Sequence, residues 1–155
     1  MAIVPTDLIE FASEAAKPGA SEAQLRAAVS RAYYAAFHML APFAGKLPRS
    51  RSCPDDLSRL SHQELQERLI EWRTDGISLR LRNMTATKDK LWRAVSTACR
   101  CRIIADYRIG SQVNLSDAQT QIERVKQISR LSIQIQAEIE RSASSTQASN
   151  SAGER

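Results

Sequence analysis

The sequence predicts an all-α fold, and three observations carry that expectation. Of the 155 residues 43% are hydrophobic, with many alanines and leucines, while aromatics make up only 5% and Gly and Pro number five each. That balance favours helices over sheets. Apolar residues recur at helical spacing over long stretches. Three serines are each followed three residues later by Gln or Glu, as Ser21-Glu-Ala-Gln24, Ser61-His-Gln-Glu64 and Ser116-Asp-Ala-Gln119, the reciprocal box that opens a helix. A chain of this length makes one domain with one core. The expectation is a bundle of four to five helices over residues 1–142 and a disordered tail over 143–155.

The first helix is expected from about Pro5 to Lys17, capped by Thr6 and stopped by Pro18-Gly19, with Leu8, Phe11, Ala12 and Ala15 on one face. The second runs from Ser21 to about Leu40 and buries Leu25, Ala28, Val29, Ala32, Ala36 and Leu40; its small residues let neighbours approach closely. Residues 41–60, with the proline-containing KLPRSRSCPDD, read as a solvent-exposed loop. A third helix follows from Ser61 to about Arg73, with Leu65, Leu69 and Trp72 inward. Ile77-Ser-Leu-Arg-Leu-Arg82 alternates with period two and fits either an extended segment or a helical turn.

The fourth helix, about Thr87 to Ile109, carries Leu91, Val95, Ala98, Arg102 and Ala105 on one stripe and ends at Gly110. The fifth, from Ser116 to about Arg141, places Ala118, Ile122, Val125, Ile128, Leu131, Ile135 and Ile139 inward. Beyond Arg141 the stretch SASSTQASNSAGER has no large apolar residue, too little burial to offset the entropy of ordering.

Composition also excludes function classes. The cysteines, Cys53, Cys99 and Cys101, form an odd set with no Cys-x-x-Cys pair, as expected of reduced thiols rather than a disulfide framework or a zinc knuckle. The first residues do not read as a secretory signal, and the longest uncharged run, 32–45, falls short of the roughly 18 residues of a membrane span. A cytoplasmic protein without membrane association is expected. With two histidines, no ligand cluster and no glycine-rich phosphate loop, neither a metal nor a cofactor is expected. The formal charge is +5, and all of the excess lies between Arg80 and Arg108, where eight basic residues face two acids. Such a patch suits nucleic acid, an acidic protein or simply solvent; Arg80, Arg82, Lys88, Lys90 and Arg93 are the candidate nucleic-acid contacts.

Two segments, SRAYYAAFHML at residues 30–40 and RIIADY at 102–107, resemble the paired signatures of a branch of the HEPN family. There a helix with Ser-Arg-x-Tyr-Tyr-Ala packs against a later helix ending in Arg-x-x-Ala-Asp-Tyr. The resemblance covers roughly residues 5–141, and it implies a HEPN-like antiparallel helical bundle, usually a homodimer. Family members include metal-independent endoribonucleases of toxin–antitoxin, abortive-infection and CRISPR systems, and also non-catalytic binding modules. The implied role is therefore in a prokaryotic stress or defence system, with RNA, a nucleotidyltransferase-like antitoxin or another protein as partner.

In active members an Arg and, four to six residues later, a His meet across the dimer cleft and promote attack of an RNA 2′-hydroxyl on the adjacent phosphate. That chemistry needs a cation for the developing charge and a group that moves a proton. Here Arg102 matches the arginine, Ile103 replaces the polar neighbour, and Tyr107 stands where the histidine would be. With a free pKa near 10, tyrosine is a poor base at neutral pH unless a cation lowers it. Arg102, Asp106 and Tyr107 are the candidate catalytic residues, with Arg31 and His38, an Arg-x6-His pair in the second helix, as a further candidate. The alternative reading makes Arg102, Asp106, Arg31 and Tyr34 a polar network pinning the second helix to the fourth, and His62 a core or capping residue.

Overall fold

The computed structural model describes residues 3–44, 61–71 and 83–152. Five helices pack together in them: α1 (Pro5–Ala15), α2 (Glu22–Ala44), α3 (His62–Glu71), α4 (Thr85–Tyr107) and α5 (Leu115–Ala152). Among the described residues there is no strand. The all-α class follows as expected; the residues of the 77–82 alternation, Arg80 and Arg82 among them, lie outside the described residues, as do Trp72 and Cys53.

Helix α2 is the axis of the bundle and touches each of the other four. Its sequence permits this, because Ala28, Ala32, Ala35 and Ala36 are at most 1% exposed and let four neighbours approach one backbone, while Val29, Tyr33 and Leu40 fill the gaps between them. Against this axis α4 lays Leu91, Val95, Ala98 and Ala105, and α5 lays Ala118, Ile122, Val125, Ile128 and Ile135. Helix α3 closes one end of the α2–α4 seam with Leu65 and Leu69.

Capping sets the boundaries, in two places differently from expectation. The boxes at Ser21/Gln24 and Ser61/Glu64 form, each with the serine hydroxyl accepting the later N–H and the later side chain accepting the serine N–H. Helix α5 is capped by Asn114 and Asp117 at 3.0 Å in both directions, so it starts one residue before Ser116. At α1 it is Asp7 that accepts the Val4 N–H, not Thr6 that caps. Gly19, at φ 87°, makes the left-handed turn between α1 and α2.

Three further differences have physical causes. Helix α2 continues through Pro42 to Ala44, past the end expected at Leu40; so close to the terminus, proline removes only the bond to the His38 carbonyl. Phe11 is 52% exposed, and the face that α1 buries runs instead through Ala12 and Ala16 with Leu8 and Ile9 beside them. Helix α5 runs on to Ala152, across the 142/143 boundary and through residues assigned to a disordered tail, because extending a nucleated helix fixes one residue per added hydrogen bond.

Candidate functional site

The helix spacing of α4 puts Arg102 in line with buried Leu91, Val95, Ala98 and Ala105, so its side chain emerges into the seam with α2. Only 12% of that side chain is exposed. A guanidinium in such a place needs partners. Its Nη2 donates to the Tyr34 hydroxyl at 2.7 Å. Its Nε stands 2.7 Å from Asp106 Oδ2, one turn further along, but the N–H is not aimed at that oxygen, so the contact is one of charge more than a directed hydrogen bond. The rings of Tyr34 and Tyr107 each have their centroid 5.3 Å from the guanidinium carbon, within cation–π range. Burial disfavours the charge, yet the Tyr34 hydroxyl and the Asp106 carboxylate outweigh it and hold the Arg102 pKa above its ordinary value. Tyr107 is 68% exposed and Ile103 39%, so this end of α4 presents an aromatic and an aliphatic side chain to the outside beside a mostly covered cation.

The pinning network thus forms from Arg102, Asp106 and Tyr34, with Tyr107 added and Arg31 absent. Arg31 is exposed on α2 and makes no hydrogen bond or ion pair among the described residues. It shares a face with Tyr34 and His38, three and seven residues on. Together these three line one side of an open groove of about 580 Å³, whose other side is Ile3, Val4 and Leu8 at the start of α1. Tyr34 belongs to both places: its hydroxyl holds Arg102 and its side chain lines the groove.

His62, expected as a core or capping residue, joins the same neighbourhood. It opens α3, and its Nδ1 shares a hydrogen bond of 2.9 Å with the Tyr33 hydroxyl. Ring centroids of Phe37, Tyr33 and Tyr34 lie 4.5, 5.2 and 5.9 Å away. Burial and the charges of Arg102 and His38 lower its pKa, which keeps the imidazole neutral at neutral pH. Burial and the Cys99 thiol push the Tyr33 hydroxyl far above the usual tyrosine range, so it remains protonated. The inward face that His62 shares with Leu65 and Leu69 was legible; its partners on α2 were not.

The basic candidates divide. Lys88 is paired with Asp89 at 3.5 Å and its side chain is 13% exposed, which takes it out of a surface stripe. Lys90 and Arg93 are exposed and one turn apart, with exposed Arg100 two turns beyond Arg93. Arg80 and Arg82 lie outside the described residues.

A second arginine positions the site from behind. Arg26 on α2 donates to the carbonyls of Ile104, Ala105, Arg108, Ile109 and Ser111, closing the C-terminal end of α4. Glu22, one turn earlier, accepts from Arg26 at 2.8 Å and from the Val113 N–H; these bonds keep its carboxyl below the usual range. The sequence shows only an i,i+4 Glu–Arg pair of the kind that decorates any helix surface. Its cross-chain role has no sequence signal.

Among the described residues no group of three or more His, Cys, Asp or Glu side chains is placed to hold a metal ion. No described helix is long and apolar enough to cross a membrane. Comparisons with protein-family models, curated proteins and solved structures find no significant match to the chain.

Proposed function

We propose that this chain is a HEPN-type helical module of a prokaryotic stress or defence system that binds RNA as a homodimer, with Arg102 serving architecture more than chemistry. One observation carries the emphasis on binding. The Arg102 guanidinium is engaged by Tyr34 on one side and Asp106 on the other, so an RNA phosphate would have to displace a carboxylate and a hydroxyl to reach it. Around it the exposed Tyr107 and Ile103 suit contact with another surface, and Lys90, Arg93 and Arg100 supply positive charge along α4. A protein partner such as a nucleotidyltransferase-like antitoxin would use the same exposed end of α4.

A second reading, an active metal-independent endoribonuclease using Arg102 and Tyr107, is favoured by His62. This imidazole stands in the field of Arg102 and offers the proton-moving group that the 102–107 segment lacks. The two readings part in one experiment: a generic single-stranded RNA is incubated in EDTA with wild type, Arg102→Ala and His62→Ala, and both retention and cleavage are followed. Retention without cleavage supports the binding module. Cleavage lost in both variants supports the nuclease, and neither retention nor cleavage by folded protein removes both.

A further inference from the structure

The groove between the start of α1 and the outer face of α2 has the composition of a ligand site. Three features mark it. Arg31 and His38 lie on one face of α2 at its edge, both exposed, and Arg31 has no ion-pair or hydrogen-bond partner among the described residues. Between them Tyr34 presents a half-buried ring whose hydroxyl is fixed by Arg102 at 2.7 Å, so the ring is held without spending the groove's own polar groups. Opposite, Ile3 and Val4 are 75% and 49% exposed, an apolar wall left open to solvent. The acid of the first turn, Asp7, is engaged by the Val4 N–H, and none of the groove's lining residues is acidic.

A ligand that satisfies this arrangement carries an anion at one edge and a flat, largely apolar body at the other. We propose that the groove binds one nucleotide unit of single-stranded RNA, with Arg31 on its phosphate, the base between Tyr34 and the Ile3–Val4–Leu8 wall, and His38 hydrogen-bonded to the ribose or the next phosphate. The proposal rests on the RNA-binding reading and locates the contact on α2 rather than at Arg102. Charge complementarity selects this occupant over an apolar helix, which would bury an unpaired guanidinium. The single strand is required because an A-form duplex keeps its base faces stacked and closed to side chains, whereas an unpaired base can enter a groove and stack. The opening of about 580 Å³ lies within the range of small-ligand sites.

The test is fluorescence anisotropy with a labelled single-stranded oligouridylate and oligoadenylate, and with an RNA duplex of equal length, in EDTA and at several salt concentrations. Arg31→Ala and His38→Ala, both at exposed positions, are compared with wild type and with Arg130→Ala, which removes one exposed charge from α5. Far-UV circular dichroism verifies the fold of each. The expected result is single-strand binding weakened about tenfold by Arg31→Ala, with the salt slope reduced by about one, weakened several-fold by His38→Ala, and unchanged within twofold by Arg130→Ala. If wild type binds the single strand and Arg31→Ala binds it equally well, the groove assignment is overturned while the RNA-binding reading stands. Equal preference for the duplex overturns it too. If wild type binds none of the three RNAs, the RNA-binding reading falls and the groove assignment with it.

Discussion

Replacing Arg102 with alanine tests the architectural account most directly, because its partners give a magnitude. The bond from a charged guanidinium to the Tyr34 hydroxyl contributes about 1.5 to 2 kcal/mol. The contact with Asp106, whose side chain is 25% exposed and toward which the N–H is poorly aimed, contributes about 1 kcal/mol. The two ring contacts add about 0.5 kcal/mol each at this degree of solvent access. Loss of all of them amounts to about 3.5 to 4 kcal/mol, and at about 3 °C per kcal/mol for a chain of this length the thermal midpoint falls by roughly 10 to 12 °C. The assay is thermal and urea unfolding followed by far-UV circular dichroism, on Arg102→Ala, Tyr34→Phe and the double variant. The cycle isolates the shared term, with a coupling of about 1.5 kcal/mol expected between the two positions. A drop of less than about 2 °C in Arg102→Ala, or a cycle that closes to within about 0.3 kcal/mol, would refute the claim that this guanidinium pins α4 to α2.

Three other expectations follow from the same contacts. Because the folded-state pKa of His62 is lowered, the native protein binds fewer protons than the unfolded chain just below the ordinary histidine value; stability is fully present above about pH 6.5 and declines as pH falls through the folded value. Thermal midpoints between pH 8 and pH 5 should show that decline in wild type and a shallower one in His62→Gln; parallel slopes would count against it. Arg26→Ala, which strips the α4 terminus of its side-chain donor, should cost about 2 kcal/mol in urea unfolding, and Arg26→Lys should recover less than half of that because it lacks the fork. Asn114→Ala removes the α5 cap and should cost about 1 kcal/mol without altering RNA retention; an unchanged denaturation midpoint would show the cap to be idle.

Helix positions and inward faces were legible because they depend on local chemistry. Periodicity located the buried stripes of α2, α4 and α5, and serine boxes located two starts, since a capping hydroxyl and its N–H lie within four residues of each other. Phe11 escaped the same logic: which edge of an apolar stripe turns outward depends on the neighbour, and α2 meets α1 along its alanines. The site divides in the same way. The Arg102–Asp106 pair is one turn of helix and can be read directly. That Tyr34 and Arg26 meet α4 and His62 meets α2 cannot be, because their partners lie 29 to 85 residues away and the connection between α2 and α3 carries no pattern that sets its geometry.

The closure of α4 by Arg26 has an electrostatic consequence. A helix ends in carbonyls that together act as roughly half a negative charge, and in α4 that end lies within a turn of Arg102 and Tyr107. Left bare, it would repel any anion approaching this face and would oppose the positive field of Lys90, Arg93 and Arg100. With the Arg26 guanidinium donating to the Ile104 and Ala105 carbonyls of that end and to those of Arg108, Ile109 and Ser111 just beyond it, the repulsive pole is weakened from inside the fold. The outer surface of α4 can then present its positive charge from Lys90 to Arg100 with less opposition from the helix end.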